Sequence, residues 1–419
     1  MAGPNLPPAV NYGPHIRTQA VFERPEAERP QGDTLQGISD WLIDAARRNS
    51  SFAEIIDEYA WRLVAAGMPL LGVSLHAETL HPQFLGATYL WWRDPGQTHT
   101  LMIEHEIAGR IPYSENLVRQ VREGGQTLRL RMDEAGYRLD FPILRELKPR
   151  GATEFLALPI ASPFGLERYM VGYAADRPGG FTEKEVADLT FLSRRLSVIA
   201  DMNSQKMIVD NVLRAYLGPR TGPRVLAGQI RRGGGESIAA VIWSSDLRAF
   251  TALSDRLPSE RVIAILNDLF DLQARTIADH GGEVLKFIGD GLLAIFPVAD
   301  PTGAARAARG ALEAARETLA ALAERRARAP SEAEPPPKIV IALHYGTVVY
   351  GNIGAADRLD FTVIGPAVNL VSRIETIAKS LDLPLIVSDD FAAIYGEKLP
   401  SLGRHKLRGL EQPHELFAP

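Results

Sequence analysis

The sequence predicts an α+β protein built as two domains joined by a helix, and three stretches carry that prediction. In Glu283–Phe296, two apolar runs of strand length, Val284–Ile288 and Leu292–Phe296, flank Gly289, Asp290 and Gly291, the pattern of a tight hairpin with a carboxylate at its tip. Upstream, the apolar strand Ile238–Trp243 runs through two serines into Asp246 and then a short polar turn with Phe250 and Thr251, and about thirty helix-patterned residues separate it from the hairpin, enough for a crossover that makes the strands neighbours. Nearer the N-terminus, Thr182 and Glu185 form a capping box that opens a helix with Val186, Leu189, Leu192, Leu196 and Ile199 on one face.

A chain of 419 residues exceeds one ordinary core, and its 46% apolar and 23% charged residues suit a soluble globular protein. A net charge of −5 with no basic stripe argues against a nucleic-acid partner. No apolar run reaches membrane-spanning length, and Met1–Pro30 lacks the apolar segment of a signal peptide, so no membrane partner and a cytoplasmic location are expected. Cysteine is absent, which removes disulfides, thiol redox sensing and thioether-linked chromophores.

Residues 1–33 read as a Pro-rich, poorly ordered lead. From Gly37, helix-spaced Ile38, Trp41, Leu42, Phe52, Ile56 and Tyr59 precede strands at Leu70–Leu75, Ala87–Trp92 and Thr100–His105. A polar, mixed segment covers Pro112–Arg150, and strands follow at Phe155–Ile160 and Tyr169–Ala174. This order, ending in the capped helix, resembles a GAF domain over residues 34–202, with a PAS-like sensor the nearest rival. Residues 203–235 form a helical connector that breaks at Leu217–Pro223. Its helix either pairs with a second copy or caps its own domain. The glycines after Arg231 lack the Lys-Ser/Thr ending of a phosphate loop and read as a linker.

In residues 236–419, helices are expected at Ser259–Asp279, Pro301–Arg328 and Ala367–Lys379. Strands are expected at Ile339–Leu343 and Val348–Tyr350, paired through a turn at a structural His344, and at Phe361–Ile364 and Leu385–Ser388. Ser331–Pro337 is an exposed loop. The order fits a ferredoxin-like α+β sheet with one helical face.

Two strand-end carboxylates, Asp246 and Asp290, are taken together as metal ligands; separately, each reads as a turn or cap residue. With the Asp246–Thr251 segment, the Lys286 strand and the Val368–Arg373 helix, they make residues from about 236 onward resemble the catalytic domain of a class III nucleotide cyclase. The resemblance implies two Mg²⁺ or Mn²⁺ ions per site, held by Asp246, Asp290 and the Leu247 carbonyl, with Phe250 and Thr251 beside the substrate. It also implies that Lys286 and Thr362 read the purine edge, in a pairing that favours ATP, and that Asn369 orients the ribose. Arg373 would stabilise transition-state charge, and Lys406 or Arg408 would hold the terminal phosphates. On the residues alone, the alternative for Lys286 is a snorkelling surface lysine, and that for Asn369 with Arg373 an exposed polar helix face.

Two positions depart from the family pattern: Ala249 stands where glycine is usual, and Pro366 where a polar residue is common. In the family, the metal aspartates and the purine-reading groups come from different subunits, so one chain carrying all of them implies a homodimer. The expectation is an adenylate cyclase making cyclic AMP and pyrophosphate, under a small-molecule effector of the N-terminal domain. A guanylate cyclase and a weakly active cyclase homology domain acting as a nucleotide-binding regulator are the alternatives.

Overall fold

The computed structural model describes residues 14–45, 51–107, 110–133, 141–161, 169–231, 233–298, 303–328, 337–355 and 357–419. The chain divides into two compact units, residues 1–212 and 213–419. Among the described residues no helix is long and apolar enough to cross a membrane.

The first unit holds β1 (Ile16–Glu23), α1 (Leu35–Ala45), α2 (Phe52–Ala65), β2 (Leu70–Glu78), β3 (Phe84–Trp92), β4 (Gln97–Glu104), α3 (Leu117–Gly124), β5 (Leu128–Arg131), α4 (Pro142–Leu147), β6 (Glu154–Ile160), β7 (Tyr169–Ala175) and most of α5 (Glu183–Leu217). Its strands form one antiparallel sheet in the order β1-β4-β3-β2-β7-β6-β5. Residues of α1, α2 and α5 pack on one face and residues of α3 and α4 on the other. The capping box forms as expected: the Thr182 amide donates to Glu185 Oε2 at 2.7 Å, and the Glu185 amide to Thr182 Oγ1 at 3.2 Å. The lead is less bare than its composition suggests. Ile16–Glu23 pairs with β4 because a sheet edge supplies the backbone partners that a Pro-rich tail lacks alone. Residues 1–13 lie outside the described residues.

The second unit holds α6 (Thr221–Leu226), β8 (Gly235–Leu247), α7 (Phe250–Arg256), α8 (Ser259–Asp279), β9 (Glu283–Ile288), β10 (Gly291–Val298), α9 (Ala304–Arg328), β11 (Ile339–Gly354), β12 (Leu359–Ile364), α10 (Pro366–Ser380), β13 (Leu385–Ser388), α11 (Asp389–Tyr395), β14 (Ser401–His405) and β15 (His414–Phe417). The sheet order is β14-β15-β13-β11-β8-β10-β9, with β12 pairing β11. Alternation along β8 sends Val241 and Trp243 into one core with α8, α9 and α11, and Ala240 and Ile242 into another with α10. The expectation of one helical face is therefore corrected: strands apolar on both sides require cover on both.

Two further expectations are corrected. Ile339–Gly354 is one strand, without a turn at His344, because β8 pairs with it from Leu247–Ile339 to Gly235–Gly351. Gly346 lies inside that strand for a packing reason, since a Cβ there would sit 2.7 Å from the Cβ of Ala367 on α10. His344 is structural as expected: its Nδ1 lies 2.8 Å from Ser388 Oγ, and burial pushes the imidazole down to about 4. The polar turn expected after Asp246 is the short helix α7. The loop expected over Ser331–Pro337 lies outside the described residues as far as 336.

Candidate active site

The site begins at a two-residue turn. Ile288 and Gly291 pair across the end of the β9–β10 hairpin, leaving Gly289 and Asp290 as the loop. Gly289 takes φ +62, the positive value that a hairpin turn needs at its first position and that glycine adopts without strain. Beside it, β10 runs antiparallel to β8 with Leu292 opposite Ser245, so the loop falls level with the end of β8, where Asp246 stands. Gly291 allows this approach, because a Cβ there would lie 2.8 Å from the Ser245 carbonyl oxygen and 3.1 Å from Asp246 Oδ1.

The two carboxyl groups interact directly. Asp290 is pushed above the usual carboxylate range, first by burial and then by the charge on Asp246, with Lys379 opposing. Carboxylates brought together at a half-buried strand end make a hard oxygen donor set, which suits Mg²⁺ or Mn²⁺. The Leu247 side chain is anchored in the core at 3% exposure, which fixes the backbone just beyond Asp246. Phe250 packs partly against the same core, while Thr251 is exposed on the first turn of α7.

Ala249, at the N-terminal boundary of α7, has φ 56 and ψ 34. The chain therefore keeps the left-handed turn that a glycine would favour and carries the strain of a Cβ there, about 1 kcal/mol. Ala249→Gly is expected to raise the stability of the second unit by about 1 kcal/mol, seen as a melting-temperature increase of roughly 2–4 °C. Calorimetry showing no rise or a fall would contradict the strain.

Lys286 on β9 reaches β12, where its ammonium pairs with Asp360 at 2.5 Å, two residues from Thr362. Both residues project from the same side of β12, being two apart, and the long lysine side chain finds the carboxylate. Thr362 is 6% exposed, and its Oγ1 has no hydrogen-bond partner among the described residues. Phe287, Ile288, Leu359 and Ile364 on these two strands are all exposed apolar side chains.

Helix α10 starts at Pro366, a position that tolerates proline because its amide would be unpaired anyway. At about 100° per residue, Asn369 and Arg373 share one face, while Glu375 and Lys379 lie roughly 120° around the helix. The second pair meets the chain's own carboxylates. Lys379 Nζ bonds Asp246 Oδ2 and lies 3.1 Å from Glu375 Oε1, and Glu375 Oε2 accepts from Ser244 Oγ at 2.5 Å. The first pair points elsewhere: Asn369 is exposed, and Arg373 lies beside Gly409. Buried Leu407 roots that loop in the core, leaving Lys406 and Arg408 exposed on either side of it.

One chain thus joins Asp246 with Asp290 and Lys286 with Asp360, and it directs Asn369 and Arg373 away from the carboxylates. Asp360, Glu375 and Lys379 were missed in the sequence. Asp360 was within reach, because it alternates with Thr362 on one strand. Lys379 and Glu375 carried only an i, i+4 pattern, shared by any solvated helix face.

Residues 236–395 match the family described as the adenylate and guanylate cyclase catalytic domain. Adenylate cyclase 1 of Rhizobium meliloti is 32% identical over 179 residues, which is 41% of this chain and 26% of the relative. The adenylate cyclase of Anabaena cylindrica is 31% identical over 147 residues, 34% of this chain and 28% of the relative. An uncharacterized protein of Mycobacterium tuberculosis is 35% identical over 214 residues, 49% of this chain and 38% of its own length. The chain thus spans well under half of each of these curated relatives. Among solved structures, the guanylyl cyclase Cya2 is similar at 30% identity with a TM-score of 0.38, covering 44% of this chain and 92% of that one. The family match identifies residues 236–395 as an adenylate and guanylate cyclase catalytic domain.

Proposed function

We propose that the second unit converts ATP to 3′,5′-cyclic AMP and pyrophosphate in a homodimer, under control of a GAF-like first unit. The observation that carries this reading is the convergence of Asp246 and Asp290 at the joined ends of β8 and the β9–β10 turn. These two side chains and the Leu247 carbonyl would hold two Mg²⁺ or Mn²⁺ ions. When bound, the metal supplies charge neutralisation at the triphosphate and acidifies the ribose 3′-hydroxyl. That oxygen forms a bond to the α-phosphorus as the bond to pyrophosphate breaks.

The chain's own groups do the positioning. Asn369 orients the ribose, Arg373 meets charge that builds on the phosphoryl oxygens, and Lys406 or Arg408 holds the terminal phosphates. The direction of Asn369 and Arg373, away from their own carboxylates, supports a site shared between two copies. So does the exposed apolar surface of β9 and β12, which a partner would cover.

Adenine presents a ring-nitrogen acceptor beside an amino donor. Lys286 supplies a donor, while Asp360 and the unpartnered Thr362 Oγ1 supply acceptors. Guanine presents these groups in the opposite order. ATP is therefore expected to turn over faster than GTP by roughly 10²-fold or more. Parallel incubations with Mg²⁺ or Mn²⁺, resolved by chromatography, test this, and equal rates would overturn the nucleotide assignment.

In the first unit, a cavity of about 500 Å³ is walled by Leu90, Phe155 and Met170, with Ser74, His76 and Thr88 also in its lining. Burial pushes His76 down to about 4, aided by the charge of Arg122, so its ring is neutral at pH 7. The lining also carries Glu78, Glu123, Arg119 and Arg122, so it suits a small effector with an apolar body and a polar or charged end.

A further inference from the structure

We propose that Lys379 is a resident counter-cation at the catalytic carboxylates, and that a divalent metal must displace it onto Glu375 to bind. The inference rests on the metal reading above and concerns a residue outside the expected site. Its basis is geometric. Lys379 Nζ bonds Asp246 Oδ2, the carboxylate that stands beside Asp290. One helical turn earlier, Glu375 Oε1 waits 3.1 Å from the same ammonium.

Glu375 is itself held in place, since its other oxygen accepts from Ser244 Oγ at 2.5 Å. Ser244 precedes Asp246 by two residues on β8, so one strand end carries both the displaced contact and the support for the receiving one. The site thus contains three carboxylates and one ammonium in an arrangement with two settings. Without metal, Lys379 bridges Asp246 and Glu375 and relieves the repulsion between Asp246 and Asp290. With metal, the divalent charge takes over that relief, and Lys379 keeps Glu375 without moving along the chain.

Arg248 holds the same end of α10 in register. Its guanidinium donates to the Leu383 carbonyl at 2.9 Å and pairs with Asp382. The helix end is therefore fixed, and only the lysine side chain has to swing. The consequence is a threshold: metal occupancy is set against an internal competitor, so affinity in the absence of nucleotide is weaker than the carboxylate pair alone would give.

The test is Mn²⁺ binding to the full chain without nucleotide, followed by calorimetric titration and by the free-Mn²⁺ paramagnetic resonance signal. Lys379→Gln is expected to tighten binding on the order of tenfold, the effect of removing one unit charge a few ångströms from a half-exposed cation seat. Lys379→Arg keeps the charge and is expected to bind as the wild type does. A residue that only supported the fold would, on replacement, weaken metal binding or leave it unchanged. Wild-type affinity in Lys379→Gln, with binding still abolished in Asp246→Ala, would overturn the competitor role and leave the metal site standing. Undiminished binding in Asp246→Ala would overturn both.

Discussion

Alanine in place of Asp246 is expected to abolish metal-dependent cyclic-nucleotide formation while leaving the fold intact. The carboxylate stands at the end of β8, half-buried, beside Asp290 and joined to Lys379. Its contribution to stability is small: the pair with Lys379 is partly exposed, at 38% and 22%, and such pairs are worth no more than about 1 kcal/mol. Its contribution to catalysis is expected to be large, because Asp290 alone would leave one protein carboxylate to fix the metal beside the triphosphate. Loss of metal-assisted stabilisation is worth several kcal/mol, a rate decrease on the order of 10³ or more. Steady-state assays with Mg²⁺ and Mn²⁺, alongside circular dichroism and a melting curve, separate the two contributions. Wild-type turnover in a folded Asp246→Ala protein would remove the metal assignment.

The second large effect is expected at Arg373. Its guanidinium has no ion pair or hydrogen bond to other described residues and lies beside Gly409, where φ +75 lets the backbone of the Lys406–Gly409 loop turn close to it. A cation without a partner among the described residues, at a helix face beside the loop that carries exposed Lys406 and Arg408, suits an anionic ligand better than a structural role. Since charge on the phosphoryl oxygens grows only as the α-phosphorus is attacked, the contribution proposed for Arg373 would fall on kcat. Arg373→Ala should lower kcat by about 10²–10³ with KM little changed. A rise in KM alone, with kcat preserved, would make Arg373 a binding residue and contradict the transition-state role.

Much of this arrangement was legible before any coordinates. The hairpin, the neighbouring strand ending in Asp246, helix α8 and the capping box at Thr182 rest on local rules: turn chemistry, periodicity and caps, which depend on few residues. What escaped depends on distant ones. Glycine inside β11 reads as a turn until α10 is seen to rest against it at Ala367. Strands apolar on both faces announced two covering layers, yet the helix that covers the second layer also carries Asn369 and Arg373, and the motif drew attention away from its packing. Asp360 lost to Thr362 because the family pattern points to the threonine, whereas reach decides which side chain lysine meets. Lys379 is 133 residues from Asp246, a separation over which spacing carries no information. The GAF-like reading of the first unit drew on the order of elements. The individual helices and strands fall near the expected positions, but sequence alone gave no hint of the strand at Ile16–Glu23.

The most direct measurement mixes two inactive proteins. Asp246→Ala and Arg373→Ala are each expected to be inactive alone, but a dimer containing one of each concentrates both lesions in one site and leaves the other whole. With random exchange, half the dimers are mixed and each has one working site, so cyclic AMP formation should recover to about one quarter of the wild-type rate. No recovery in a mixture shown by native mass spectrometry to contain the heterodimer would contradict a site built from two copies of this chain.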